Sequence, residues 1–160
     1  MNSPVTNIVI AGLGGQGVLT AAGIISDAAF RAGFDVKQSE LHGMSQRGGS
    51  VSSDVRFGRQ VFSPMVTTGE ADFLVVAAPD QVDVNRHQLR AEGVLIVPAA
   101  VDATQLTNKK SVNVALLGVL SRHLPIAEPA WLDAIRAAFP AKLHAANLAA
   151  FALGRTAGDS

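Results

Sequence analysis

The 160-residue chain has no cysteine, no tyrosine and a single tryptophan, and only 16% of its residues are charged. Without cysteine there can be no disulfide, thiolate zinc site, nucleophilic thiol or cysteine-held iron–sulfur cluster. Without tyrosine there is no phenol to serve as general acid, which removes the YxxxK type of dehydrogenase chemistry. Soluble domains average about 25% charged residues. The shortfall, beside 48% hydrophobic residues, predicts that another chain covers part of the surface. The 13 basic and 13 acidic side chains balance to zero net charge, with no basic stripe to suit nucleic acid. His42, His87, His123 and His144 are scattered and lack metal-ligand spacing, so no metal site is expected. His87, His123 and His144 fall on predicted helices and read as surface or capping residues.

Charge is also absent from residues 1–26. The stretch has no basic leader, and the glycines between Gly12 and Gly17 interrupt its apolar run, so it does not read as a targeting segment. Val112–Leu120, the other apolar stretch, is far shorter than the roughly 20 residues of a membrane span. The chain is therefore expected to be soluble and cytoplasmic, and its length suits one domain over residues 1–160.

What is present alternates strand with helix. Thr6–Ala11, Asp72–Ala77 and Val94–Val97 are apolar and β-branched like buried parallel strands. Asp35–Glu40 and Val51–Phe57 read as two further strands, with Leu41–Ser50 a polar loop between them. Helices are predicted over Val18–Ala32 (ending at Gly33), Asp80–Ala91, Val112–Arg122 (capped by Ser111), Ala130–Phe139 (Pro129 in the first turn) and Ala141–Leu153 (ending at Gly154). Asn113 reads as a helix cap, with a bond across an interface as the alternative, and Trp131, Ile135 and Phe139 share a helical spacing that implies core. The fold class is α/β: a three-layer α/β/α domain with a Rossmann-like mixed, mainly parallel sheet and C-terminal helices.

The run GLGGQG places Gly12, Gly14 and Gly17 in a GxGxxG pattern directly after a strand and ahead of a helix. Glycines there permit a tight turn and close approach, and the helix start offers free amides to an anion. Glu40 stands about where a ribose-binding acid would sit. A dinucleotide site, another anion or cofactor contact, and a turn that only packs all remain open on these residues.

The second unusual segment is Glu40-Leu-His-Gly-Met-Ser-Gln-Arg-Gly-Gly49. It sets His42, Ser45, Gln46 and Arg47 in a frame of glycines, and the planar fork of an arginine suits phosphate or carboxylate. His42 has no identifiable acid partner, so no catalytic role is assigned to it or to any other residue of the chain.

GGQG, then ExHGMSQRGG, then a strand ending in Arg56-x-Gly58 resemble the gamma domain of 2-oxoacid:ferredoxin oxidoreductases. The closest resemblance is to the separate small (beta) subunit of the indolepyruvate type. It continues through Ser63-Pro64, Ala71–Leu74, Asn113–Gly118, Glu128–Trp131, Phe139, Lys142 and Asn147, nearly the whole chain. The resemblance implies a non-autonomous subunit, inactive alone. In such complexes thiamine diphosphate decarboxylates the 2-oxoacid, iron–sulfur clusters pass electrons to ferredoxin, and coenzyme A takes the acyl group. Thiamine diphosphate, its magnesium and the clusters would belong to the partner subunit; this chain has no GDG…N diphosphate signature. Coenzyme A is possible at the interface. The residues implied to face ligand or partner are Gly12, Gly14, Gly15, Gln16 and Gly17, with Glu40, His42, Ser45, Gln46, Arg47, Gly48 and Gly49 as a second wall. A small NAD(P)-binding protein and a purely structural partner subunit are the alternatives. No nucleic-acid or membrane partner is expected.

Overall fold

The computed structural model describes residues 4–42 and 49–157, with Leu41 and His42 given by backbone alone. In chain order the elements are β1 (Thr6–Leu13), α1 (Val18–Arg31), β2 (Asp35–His42), β3 (Ser50–Gly58), β4 (Ala71–Val76), a short α2 (Val82–Asn85), β5 (Leu89–Ile96), α3 (Val112–Ser121), α4 (Glu128–Ala138) and α5 (His144–Thr156). The strands form one sheet in the order β2-β3-β1-β4-β5. β1 pairs with β4, and β4 with β5, in parallel, while β3 runs antiparallel to both β1 and β2. Only β3 therefore opposes the common strand direction, and the sheet is mixed but mainly parallel in strand direction.

Alternate residues of the central strands face different layers. Ile8, Ile10, Val55, Phe57, Val75 and Ile96 pack into the large core formed with α1, α3, α4 and α5. Val9, Leu74 and Val76 face the other way, against Val66 and the partly buried Val82. Four helices thus make one layer, the sheet the second, and a thin third layer comes from α2 and the segment 59–70. Burial on both faces is why β1 and β4 read as unbroken apolar runs.

Local chemistry explains the helix ends. α1 stops because Gly33 takes φ +95°, the left-handed conformation that glycine adopts without a Cβ clash. The Gly33 and Phe34 amides then return to the Phe30 and Ala29 carbonyls, at 3.0 and 3.1 Å, as in a Schellman end. Pro129 lies in the first turn of α4. At the other end of that helix, His144 Nε2 lies 2.8 Å from the Phe139 carbonyl oxygen. His144 is therefore a capping residue.

Several sequence expectations change. Asp80–Ala91 is not one helix: two 3-10 turns flank the four-residue α2, and β5 begins at Leu89. β5 is an edge strand whose Arg90, Ala91 and Glu92 are exposed, so only its second half, Val94–Ile96, carries the apolar signature of a buried strand. The loop Leu41–Ser50 is shorter than expected, since Leu41 and His42 extend β2 and Ser50 opens β3. Ser111 precedes α3 but makes no side-chain cap bond. Gly154 does not end the last helix, which runs on to Thr156. It serves packing instead: a Cβ on Gly154 would collide with the Ala115 carbonyl oxygen, and one on Gly118 with the Phe151 carbonyl oxygen. α3 and α5 touch backbone to backbone, so α3 can be apolar on nearly all sides and still be covered.

The segment 59–70 crosses the outer face of the sheet as a strap. Asp35 Oδ2 accepts the Val61 amide at 2.8 Å, and Asp54 Oδ2 accepts the Val66 amide at 2.9 Å. Arg56 donates through Nη1 to the Ser63 carbonyl and through Nε to Asn7 Oδ1, at 2.8 and 2.7 Å. The Val61 amide holds the Asp35 carboxyl below its ordinary range. Asp54 behaves oppositely. It is 3% exposed, and its Oδ1 has no hydrogen-bond partner among the described residues. Burial raises its pKa despite the Val66 amide and the nearby Arg56.

Two outcomes follow from this packing. Gly154→Ala should cost about 1–3 kcal/mol by overpacking the α3–α5 contact, read as a lowered melting temperature. A carboxyl raised above its ordinary value of 3.8 stabilises most below that value and loses that contribution as pH climbs through the raised one. Asp54→Asn keeps an acceptor for Val66 and removes the charge, so its melting temperature relative to wild type should rise between about pH 4 and 7. A difference that stays flat over that range would show that the buried charge is not the cause.

Candidate functional site

The glycine loop leaves the carboxyl end of β1, and each of its residues has an identifiable task. Gly15 and Gly17 take φ +89° and +74°, in the left-handed region. Gly12 has no room for a Cβ, which would lie 2.8 Å from Gln16 Oε1 and 3.3 Å from Ala77 Cβ. Gln16 closes the turn on Leu13: its side-chain Oε1 accepts the Leu13 backbone amide at 2.6 Å, and its backbone N–H donates to the Leu13 carbonyl at 3.1 Å. The Gln16 side-chain oxygen is thus committed to the loop. Gly14 donates its amide to the Gly49 carbonyl at 2.9 Å, which ties the loop to the end of the polar decapeptide.

The loop sits where the topology divides. From β1 the chain passes to α1 on one face, and from β4 it passes to α2 on the other. The carboxyl ends of β1 and β4 therefore meet at the topological switch point, the usual ligand position in open α/β sheets. Ser50 Oγ donates to Gln81 Oε1 at 2.7 Å, and Asn85 Nδ2 to the Gln81 carbonyl at 2.8 Å. These bonds draw the start of β3 and the turn after β4 to the same end of the sheet.

Of the second wall, Gly49 meets the glycine loop, while Ser45, Gln46, Arg47 and Gly48 lie outside the described residues, as does the His42 side chain. Glu40 is exposed on the edge strand β2. It pairs with Ser53, which in turn pairs with Ile10 of β1. Two strand spacings, roughly 9–10 Å, separate it from β1. The ribose-acid position expected of a dinucleotide fold is therefore not formed, because β3 is inserted between the two strands.

The other side of the loop brings in Lys109 and Lys110, to which the sequence alone assigned no role. A cleft of about 390 Å³ opens between the starts of α1 and α3, lined by Gly15, Gln16, Gly17, Thr20, Lys109, Lys110, Asn113 and Phe139 among others. Asn113 is 8% exposed, and its Nδ2 donates to the Gly17 carbonyl at 3.1 Å. It is a clamp across the fold and not a helix cap. A Cβ on Gly17 would run into this amide. Lys109 and Lys110 lie on a 3-10 turn started by Asn108, whose Oδ1 accepts the Lys110 amide at 3.0 Å. Both lysines are exposed, and neither forms an ion pair among the described residues. Gly17 offers the first turn of α1 no side-chain cap, so the helix start keeps its partial positive charge. Trp131 and Ile135 are core, as their spacing implied, whereas half-buried Phe139 also lines the cleft. Cationic walls beside an aromatic ring suit a ligand with phosphate or carboxylate groups and an apolar part. The available signal was the Lys-Lys pair just ahead of an apolar helix.

Among the described residues no three metal-ligating side chains cluster, and no helix is long and apolar enough to cross a membrane.

Comparison with known proteins places this geometry. The family model for pyruvate ferredoxin/flavodoxin oxidoreductase matches residues 7–157. The indolepyruvate oxidoreductase subunit IorB of Thermococcus kodakarensis is 35% identical, over 92% of this chain and 93% of its own. Among solved structures, the gamma subunit of a keto/oxoacid ferredoxin oxidoreductase from Geobacter sulfurreducens superposes with TM-score 0.81 at 22% identity, covering 96% of each chain. A 2-oxoglutarate:ferredoxin oxidoreductase from Magnetococcus marinus, solved with 2-oxoglutarate, coenzyme A and succinyl-CoA, also gives TM-score 0.81, at 20% identity. There the match covers 99% of this chain but 32% of the other. The structural likenesses establish the fold, and the family match and the sequence identity establish descent. The chain belongs to the pyruvate ferredoxin/flavodoxin oxidoreductase family, as a gamma-type small subunit closely similar to the IorB subunits.

Proposed function

We propose that this chain, acting as one gamma-type domain, completes a thiamine-diphosphate-dependent 2-oxoacid:ferredoxin oxidoreductase and holds part of coenzyme A in the cleft beside its glycine loop. The observation that carries the reading is the cleft itself: an uncapped helix start, Lys109, Lys110 and the Phe139 ring face one space. Coenzyme A combines phosphates with an aromatic base and an apolar arm, the chemistry those walls recognise. The partner is a large subunit carrying thiamine diphosphate, magnesium and the iron–sulfur clusters, which this cysteine-free chain does not ligate through thiolates. Ferredoxin takes up electrons through that subunit. The thiamine cofactor supplies the carbanion chemistry that splits carbon dioxide from the 2-oxoacid.

This chain's own groups bind and orient. The amides at the start of α1 and the two ammonium groups neutralise phosphate, and Asn113 fixes the loop relative to α3. Glu40, His42, Ser45, Gln46, Arg47, Gly48 and Gly49 face the large subunit in this reading, with Arg47 supplying a fork for a carboxylate or phosphate. Indolepyruvate, or another aryl pyruvate, is the 2-oxoacid to test first, given the name carried by the Thermococcus relative. A match covering 32% of the Magnetococcus chain supports a partner, since there the same fold is part of a much longer polypeptide.

The test is reconstitution with the large subunit and 2-oxoacid-dependent dye reduction. The isolated chain should be inactive and the complex active. Losing two charge-assisted phosphate contacts should raise KM for coenzyme A about tenfold or more in Lys109→Ala/Lys110→Ala, with assembly intact. An unchanged KM would remove coenzyme A from this cleft. Failure of the wild-type chain to join the large subunit, or a melting shift with NADH alone, would defeat the whole reading.

A further inference from the structure

The Gln16 carboxamide has one end fixed and one end free. Its Oε1 is held by the Leu13 backbone N–H at 2.6 Å, against a Gly12 backbone so close that a Cβ there would lie 2.8 Å from it. Of the two ends only the oxygen accepts an N–H, so this bond also fixes which way round the carboxamide sits. Its Nε2 is left open to solvent, with no hydrogen bond among the described residues. Gln16 lines the cleft together with Lys109, Lys110 and Gly17, the residue that precedes the uncapped start of α1. The turn by itself does not ask for an amide. A glutamate of the same shape would accept the Leu13 N–H through a stronger, charge-assisted bond. What glutamine adds is a pair of N–H donors and no charge, beside a cleft whose charged groups are two ammonium ions. A carboxylate there would repel an anion that those ions attract.

We propose that Gln16 Nε2 donates to a phosphate oxygen of coenzyme A, which makes Gln16 a binding residue that selects for an anion as well as the closure of the turn. This rests on the reading of the cleft as the coenzyme A site. The place of the phosphate is set from two sides. The free amides of α1 begin at Val18, two residues beyond Gln16, where the helix dipole favours negative charge. Lys109 and Lys110 stand on the α3 side. The lysines are flexible point charges, tolerant of where the anion lies. The carboxamide is the opposite: with its oxygen anchored, its donor is already positioned and loses little freedom on binding.

The test uses the full chain reconstituted with the large subunit. Gln16→Glu keeps the acceptor for Leu13 and replaces the free donor with a negative oxygen. It should melt no lower than the wild type and raise KM for coenzyme A about tenfold or more, with KM for the 2-oxoacid unchanged. As a competitor of coenzyme A, ADP should bind the variant correspondingly more weakly, whereas pantetheine, which carries no phosphate, should bind both proteins alike. A wild-type KM for coenzyme A in the Gln16→Glu complex would overturn the inference. So would an equal loss of pantetheine, which would move the contact to the apolar arm. A lowered melting temperature, or a parallel rise in KM for the 2-oxoacid, would leave Gln16 as a scaffold of the turn and nothing more. The lysine variant separates this inference from the reading beneath it. A raised KM in Lys109→Ala/Lys110→Ala beside a normal one in Gln16→Glu removes only the role of Gln16, and normal values in both remove coenzyme A from the cleft.

Discussion

The hydrogen bond from Asn113 Nδ2 to the Gly17 carbonyl joins residues 96 positions apart and fixes how the two halves of the chain meet. Asn113 is nearly fully buried, and an unpaired amide there would carry a desolvation penalty of about 1–3 kcal/mol. Its position depends on how deeply α3 sits, and that depth is set by Gly118 and Gly154, where two helix backbones touch. Gly17 must in turn lack a side chain, both for its left-handed φ and to admit the amide. Sheet, glycine loop and C-terminal helices are thus held in register by contacts that tolerate almost no added volume.

The sheet separates two kinds of surface. On the helix face, the starts of α1 and α3 converge, and their amides and lysines create a positive cleft beside an aromatic ring. On the opposite face, the buried Asp54, the partly exposed Asp35 and Arg56 are used on backbone, and they tie a segment without regular structure to the sheet. The low charge content is consistent with a chain that keeps much of its surface for contact with other molecules.

Much of the fold was legible because its strands are buried on both faces. β1 and β4 announce themselves as short apolar runs, and Gly33 ends α1 as its position implied. β5 was half hidden because an edge strand has no need of apolar residues at Arg90 and Glu92. Gly154 looked like a terminator because a glycine that ends a helix and one that admits a neighbouring backbone are the same letter. In the candidate site, the turn Gly12–Gly17 could be located from its glycine spacing alone. Lys109 and Lys110 were not, since two lysines on a turn become a site only when something faces them.

The sequence by itself determined chemical competence: no thiol to hold a cluster, glycines able to take positive φ, strands able to survive burial, and a polar motif specific enough to indicate a family. Those are properties of single residues and short spans. Only the tertiary structure decided which of these groups share a space. The insertion of β3 between β1 and β2 carried Glu40 away from the glycine loop, and the docking of α3 brought Asn113 and two lysines to it. Proximity of that kind is set by the summed packing of distant segments, and no local window of the chain contains it.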